Sequence, residues 1–591
     1  MKRSIQSPMT AVVSRIVLSE GDPFAPSQEL MVLEAMKMET AISSDQAGLI
    51  HRIQVKEGDT VSKGQTLLEF EVVSQIQNGD AQGRSMEEDN EALRELEMRR
   101  SHLKDANRPK AVEKRHSRNQ RTARENLKDL VDPNSFIEYG GMVIAAQQSR
   151  RSLEDLIENT PADGLIMGTG RINANLLNDA KRSECAILIY DYTVLAGTQG
   201  TMNHMKMDRL LELAHERNLP VVLYGEGGGG RPGDVDHHTV AGLYINTFYN
   251  YARLTTPKIA VVSGYCFAGN AALVGSSDIV IATRDISLGM GGPAMIEGGG
   301  LGKFHPKQIG PAEVHEKKGV VDILCENEQE ATAMAKKCLS YFQGRMNSWK
   351  APDQSVLKGL IPANRKRSYD PRDIIQVLFD EDSVIEFQAG FAQGVLTGLA
   401  RIEGTTIGFL ANNNRHDAGA ISAACASKLC DFFDLVTRFE IPVVSLVDTP
   451  GIMVGPDSEK EGTVKYASRL FTKGARLKAP IYCIVLRRAY GLGAMAMMGG
   501  STRRPVFTVS WPTGEFGAMG LEGAVKLGYA KELAAIPDEV ERQQTLDKMV
   551  EQAYNRGKAI NMATMYEIDD VIDPSETRST IVRGLQSARY L

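Results

Sequence analysis

The chain has 591 residues, 42% of them apolar and 24% charged, an ordinary composition for a globular protein of several domains. A formal net charge of −6 offers no basic field for nucleic acid, and no stretch approaches the ~18 unbroken apolar residues that a membrane helix needs. Seven cysteines lie singly, and the start, MKRSIQSPMTAVV, lacks an apolar signal core, so a cytoplasmic location without a metal site is expected.

From Ser4 to Val72 the sequence repeats itself. Glu20-Gly21-Asp22 recurs as Glu57-Gly58-Asp59, Gln28 and Leu30 recur as Gln65 and Leu67, and Ile16 and Ile53 fall on the same step of 37 residues. Two similar strand-turn-strand halves predict a small all-β barrel-sandwich over residues 1–73, with Glu34–Glu39 (EAMKME) at the hairpin that joins them. Lys37 sits at that hairpin between Met36 and Met38. As a lone feature it reads as a solvated turn lysine; the repeat on both sides gives it a presented position.

Residues 74–120 change character. A polar stretch, SQIQNGDAQGRS, reads as a linker, and the highly charged run after it reads as helical, broken near Arg108-Pro109. Its two readings are a docking or spacer helix and a plain solvated helix.

From Asp132-Pro133 onward, apolar runs alternate with helical stretches and glycine-rich turns, the pattern of strand-helix units in an α/β fold. This region also reads twice, as domains over 121–362 and 363–591. Asp191 pairs with Asn413, Ala196-Gly197 with Ala418-Gly419 and Pro220 with Pro442, all at a step of 222, and Pro257 answers Pro480 at 223. In each half a buried strand runs into a small-residue turn that should open a helix: Gly264–Ala271 in the first, Ala489–Ala494 in the second. The first amides of a helix lack partners within it, so two of them converging on one oxygen would stabilise a carbonyl as it becomes an enolate. One such turn alone would serve close packing equally well; two matched turns point to chemistry.

The stretch around EAMKME resembles the biotinyl domain of biotin-dependent carboxylases, whose lysine between two methionines carries biotin in amide linkage. Lipoyl domains share that fold but usually lack the methionine pair. Residues from about Arg121 to Leu591 resemble the carboxyltransferase component of acyl-CoA carboxylases, of the propionyl-CoA and methylcrotonyl-CoA kind. Glu226–Arg231 (EGGGGR), Gly264–Ala271, Arg487–Gly493, Trp511-Pro512-Thr513, Met519-Gly520, Glu522-Gly523-Ala524, Ile568–Pro574 and Thr577-Arg578 carry the resemblance.

The resemblance implies two tandem crotonase-like domains, the first for acyl-CoA and the second for biotin. Biotin would be covalent on Lys37. Backbone donors would be Gly269 and Asn270 in the first half, and Gly493 and Ala494 in the second, with Leu492 and Gly493 as the alternative pair. Gly228, Gly229, Gly230, Arg231 and Met495 would contact CoA or substrate. Asn270 departs from the family's usual glycine.

The implied mechanism releases carbon dioxide from carboxybiotin at the second turn, and the freed ureido nitrogen then takes the α-proton of an acyl-CoA held at the first. It calls on no side-chain base; His237, His238 and Asp448 are the remaining candidates for one. Neither a GxxxxGK[ST] loop nor an ATP-grasp stretch occurs, so a separate ATP-dependent biotin carboxylase subunit is the expected partner, together with a biotin protein ligase and further copies of the chain. A biotin-dependent decarboxylase or transcarboxylase would use the same turns and is the alternative function.

Overall fold

A computed structural model describes residues 2–73, 91–236 and 243–591. The chain divides into two compact units, Met1–Ala92 and Leu93–Leu591.

The first unit is built from two four-stranded sheets. In one, Thr66–Val72 lies between Lys2–Gln6 and Gly48–Ile53, with Pro23–Phe24 at the edge; in the other, Met31–Ala35 lies between Ala11–Ile16 and Met38–Ile42. Val13, Phe24, Leu33, Ile50, Leu68 and Phe70 fill the space between the sheets. The internal repeat shows as an exchange of hydrogen bonds. Glu57 Oε1 accepts from the Ile16 amide at 2.8 Å, and Glu20 Oε1 accepts from the Ile53 amide at 2.9 Å, so each half's acidic turn closes the other half's strand. Gly21 and Gly58 hold these turns at φ of 93° and 90°, which L side chains rarely adopt.

The second unit contains two large sheets. In the first, Glu184–Tyr190, Val221–Tyr224, Lys258–Val262, Ile279–Thr283 and Ile323–Cys325 run parallel, and Leu165–Arg171 is antiparallel at the Glu184 side. The second sheet repeats the plan: Thr405–Asn412, Val443–Thr449, Ile481–Tyr490 and Phe507–Ser510 run parallel, with Val395–Ile402 antiparallel beside them. These strands are buried along nearly their whole length, which is why they read as unbroken apolar runs. Helices Glu328–Ser340 and Ala423–Arg438 contribute to one continuous core that reaches both sheets, through Ala335, Leu339, Leu429 and Phe433 among others. The far face of each sheet has its own core, under Thr201–Arg217 in the first half and under Pro371–Leu378 and Thr577–Ser587 in the second. Among the described residues no helix is long and apolar enough to cross a membrane.

The charged segment is helical over Glu91–Ser101 and Pro109–His116, the second helix opening after Arg108 with Pro109 at its first position. From Leu93 on it belongs to the same compact unit as both sheets. Arg108 pairs with Asp191 at 2.8 Å, Arg115 pairs with Glu226 at 2.7 Å, and Arg99 donates to the Met142 carbonyl at 3.0 Å. The segment is therefore no plain solvated helix: two of its arginines are anchors of the fold.

A buried lysine ties each half together, and the two are also 222 residues apart. Lys206 Nζ donates to the Ala162 and Leu165 carbonyls at 2.5 and 2.7 Å, and Lys428 Nζ donates to the carbonyls of Gln388, Phe391 and Val395 at 2.9–3.1 Å. Lys428→Met would take the lysine donor from three carbonyls, that of Val395 buried and those of Gln388 and Phe391 half-buried, and an orphaned buried carbonyl costs about 1–3 kcal/mol. We expect a loss of about 1–3 kcal/mol, read as a lowered thermal midpoint, whereas methionine at the exposed Lys526 should leave the midpoint within error.

Candidate active site

In the first half the strand Val221–Tyr224 feeds directly into Gly225, Glu226 and the glycine loop. The loop is pinned on three sides. The Gly228 amide donates to the Ala196 carbonyl at 3.0 Å, Gly229 O accepts from the Gln199 amide at 2.8 Å, and the Arg231 amide donates to the Gln199 carbonyl at 2.8 Å. At Gly227 an added Cβ would lie 2.1 Å from the Gly197 oxygen, so only glycine lets the two turns approach this closely.

Next to this loop the short strand Tyr265–Phe267 ends at Ala268, which takes φ 50° and caps the helix Gly269–Gly275. The amides of Gly269 and Asn270, the first two helical positions, meet no acceptor among the described residues. The asparagine is explained by its side chain. Buried completely, it accepts from the Gly229 amide at 3.1 Å and donates to the Gly197 oxygen at 3.3 Å. Asn270 thus staples both neighbouring loops to the turn while its own N–H stays unspent.

The second half repeats the corner. Tyr490 ends the strand Ile481–Tyr490, and Gly491 takes φ 55°, as Ala268 does 223 residues earlier. Right-handed helical geometry begins after that corner, so Leu492 and Gly493 stand where Gly269 and Asn270 stand in the first half. The pair nominated by the sequence, Gly493 and Ala494, lies one residue further along, because Gly491 occupies the corner itself. Among the described residues the amides of Leu492, Gly493 and Ala494 all lack an acceptor. Leu492 is 60% exposed and Met495 37%, whereas Ala494 is buried.

Two nominated side chains are engaged elsewhere. Arg231, expected to contact substrate, gives its guanidinium to Asp163 at 2.6 Å, Asp234 at 3.3 Å and the Thr198 oxygen at 2.8 Å, and is nearly fully buried. It braces the glycine loop and is not a free cation. Asp448, a candidate base, is fully buried and pairs with Arg487 at 3.1 Å and Arg488 at 2.7 Å. Both its oxygens are committed to guanidinium groups. His237 and His238 lie outside the described residues.

The sequence reading did not single out Arg115. Its Nη1 meets Glu226 at 2.7 Å and its Nη2 meets Glu328 at 3.4 Å, while Glu328 also accepts from Asn126 and Ser263. Burial pushes the Glu226 carboxyl up to about 7, against the pull of Arg115. Beside it, burial works against the Asp191 charge, but Arg108 and Thr193 outweigh it and hold that carboxyl below the usual range. One signal was present in the sequence: Ala111, Val112 and Arg115 share one face of the helix that opens at Pro109, which puts the arginine on its apolar side.

In the first unit, Ala35 pairs with Met38 across a two-residue turn whose members, Met36 and Lys37, have φ of 53° and 67°. Two consecutive positive φ values make the tight hairpin turn that suits the twist of paired strands. Met36 is 99% exposed and Met38 71%, so the turn holds Lys37 at the outermost point of the sheet.

Comparison with known proteins agrees with both units. Residues 114–589 match the carboxyl transferase domain family and residues 3–70 match the biotin-requiring enzyme family. A single-chain, multi-domain long-chain acyl-CoA carboxylase of known structure is 47% identical, with a TM-score of 0.80, over 98% of this chain. The chain spans 56% of that protein's length. Transcarboxylase 12S, solved as a hexamer with methylmalonyl-CoA bound, is 26% identical with a TM-score of 0.72, covering 88% of this chain and 97% of its own. The acetyl-/propionyl-CoA carboxylase beta5 subunit of Mycobacterium tuberculosis is 30% identical over 502 residues, 80% of this chain and 88% of that one. The chain belongs to the carboxyl transferase family: it is a biotin-dependent acyl-CoA carboxyltransferase with a biotinyl domain in the same polypeptide.

Proposed function

We propose that the chain moves a carboxyl group between biotin held on Lys37 and the α-carbon, or vinylogous carbon, of an acyl-CoA. In this reading residues 121–362 form the acyl-CoA half, with the helical segment from 93 joined to it, and residues 363–591 form the biotin half. The observation that carries the reading is the pair of matched corners, Ala268 and Gly491, each followed by consecutive amides without an acceptor.

Lys37 suits covalent biotin, because the turn leaves its side chain at an exposed tip that a ligase can approach. When bound, biotin supplies a ureido ring that carries the carboxyl group in activated form. The work left to the protein is positioning and electrostatics. The Gly269 and Asn270 amides donate to the thioester oxygen as the α-proton leaves, stabilising the enolate where its charge appears. Gly493 with Leu492 would hold the ureido oxygen in the second half. Gly228, Gly229 and Gly230 let the thioester arm come close to backbone, and Arg231 keeps that loop rigid. Met495, on the exposed side of the second helix, borders the acyl group.

An ATP-dependent biotin carboxylase and a biotin protein ligase serve as partners, the chain self-associates, and the reaction runs in the cytoplasm. The likeness to a transcarboxylase supports one second reading, in which the carboxyl group leaves one acyl-CoA for another acceptor over the same two turns.

Chain purified from cells that contain biotin ligase should carry one biotin by intact mass, and Lys37→Arg should carry none. Biotin on another residue, or lipoate on Lys37, would refute the attachment site.

The donors of the second turn can be separated with proline, which removes an N–H yet suits the first helical position. Leu492→Pro should fold with an unchanged melting profile and lose about 10²–10³ in transfer rate, the usual loss for one oxyanion donor. Ala494→Pro is the comparison. If it loses the rate while Leu492→Pro keeps it, the donors are Gly493 and Ala494.

A further inference from the structure

The two corners are held from behind in different ways. In the first half the Asn270 side chain ties the turn to Gly229 and Gly197. Its counterpart in the second half is Gly493, where an added Cβ would stand 2.6 Å from the backbone of Gly451. No side-chain staple fits at that position, so the second corner has to be secured from another one.

Each corner strand pairs in parallel with a short strand later in the chain. Tyr265, Cys266 and Phe267 pair with Ser287, Leu288 and Gly289, and Arg488, Ala489 and Tyr490 pair with Glu515, Phe516 and Gly517. The register makes Phe267 equivalent to Tyr490, and Ser287 equivalent to Glu515. Residues two apart share a face of a strand, so in each half these two positions lie on one face of the ribbon. Among the described residues, the second half bonds across them and the first does not. The Tyr490 hydroxyl donates to Glu515 Oε2 at 3.1 Å, whereas Phe267 has no hydroxyl and the completely buried Ser287 Oγ meets no partner. Burial, and after it the Glu515 charge, holds the Tyr490 phenol well above its usual range, so the hydroxyl keeps its proton and is the donor.

Both ends of this pair are fixed. Tyr490 immediately precedes Gly491, the corner itself. Glu515 sits on a clamped segment: the Phe516 amide donates to the Gly557 carbonyl at 2.8 Å, and the Ala559 amide donates to the Gly514 carbonyl at 3.0 Å. Further along the same segment, the Ala518 oxygen lies 2.7 Å from where a Cβ on Gly491 would be, so the segment also touches the corner.

We propose that Glu515 is a positioning residue of the second half: through Tyr490 it holds the Gly491 corner, and with it the Leu492 and Gly493 amides, as Asn270 secures the first turn. The inference rests on the second half being the biotin half. The pair is not what folds the corner, since Ala268 takes φ of 50° after Phe267 where Gly491 takes 55° after Tyr490. Its contribution is alignment, because amides stabilise a developing charge only when they are held where that charge appears.

The test uses the full chain in two forms. The biotinylated chain, with an added biotin carboxylase, gives kcat and KM for whichever of acetyl-, propionyl- and palmitoyl-CoA the parent turns over fastest. The Lys37→Arg chain, run in reverse from the matching carboxylated thioester to free biotin, gives a KM for biotin itself. Tyr490→Phe and Glu515→Ala should each melt as the parent does, phenylalanine being the first half's own residue at the matching position. Each should lower kcat about tenfold and raise the KM for free biotin, with the KM for either thioester unchanged. The double variant should be no slower than either single one, and Glu515→Gln, which keeps an acceptor, should stay within about threefold of the parent. Ser287→Ala should leave every parameter unchanged. Losses that add in the double variant, Glu515→Gln as slow as Glu515→Ala, a KM that moves for the thioesters instead of biotin, or parent rates in Tyr490→Phe would each overturn the proposal. A parent chain that transfers no carboxyl group in either direction would refute the proposed function, and this inference with it.

Discussion

Each half of the carboxyltransferase unit buries a carboxylate at the C-terminal end of a central parallel strand, Asp448 within its last residues and Glu226 just beyond, and both are met by guanidinium groups. Glu226 and Asp448 are 222 residues apart in the chain, and the carbonyl of each lies against the preceding turn, where Gly197 and Gly419 admit no side chain. An unpaired charge at such a site costs several kcal/mol, so each half must bring in a guanidinium. The solutions differ. Asp448 takes Arg487 and Arg488 from the neighbouring strand, whereas Glu226 takes Arg115 from the helical segment ahead of the sheet. Residues 109–116 are therefore tied to the first half for electrostatic reasons, independently of any apolar packing.

The two corners show what a repeated site must keep and what it can change. Both hold a positive φ before the helix, and both leave the first amides without acceptors. What lies behind them diverges. Asn270 fills its space with a side chain that bonds Gly229 and Gly197, while its counterpart Gly493 leaves that space to the backbone of Gly451, 2.6 Å from where a Cβ would be. In the proposed reading the donors are main-chain amides, which leaves side chains behind the turn free to become structural. Asn270 in place of a glycine is that freedom in use.

Much of this was legible in the sequence, because repeats and turn residues are local. The step of 37 residues predicted a two-sheet unit, and its strongest support is the reciprocal capping of Ile16 by Glu57 and Ile53 by Glu20. The steps of 222 and 223 predicted the two matched sheets down to register: Val221 pairs with Lys258 in the first, and their equivalents Val443 and Ile481 pair in the second. What the sequence could not convey was commitment. Arg231 and Asp448 are residue types that could bind or catalyse, and only the fold shows that Asp163, Asp234, Arg487 and Arg488 have already claimed them. The positions equivalent to Gly269 and Asn270 fall at Leu492 and Gly493 for a related reason: φ at Gly491 decides where the helix starts, and a glycine permits either answer.

The segment ahead of the sheets was the least legible part, since a charged helix looks the same whether its charges face water or a partner. Its two faces are now distinguishable. Arg115 points into the core and holds Glu226 at the root of the glycine loop, while Lys114 and Arg118, four residues apart on neighbouring turns, line an open cleft. Pro109 at the first helical position and the Arg108–Asp191 pair beside it fix where that helix starts, and so where its two faces point.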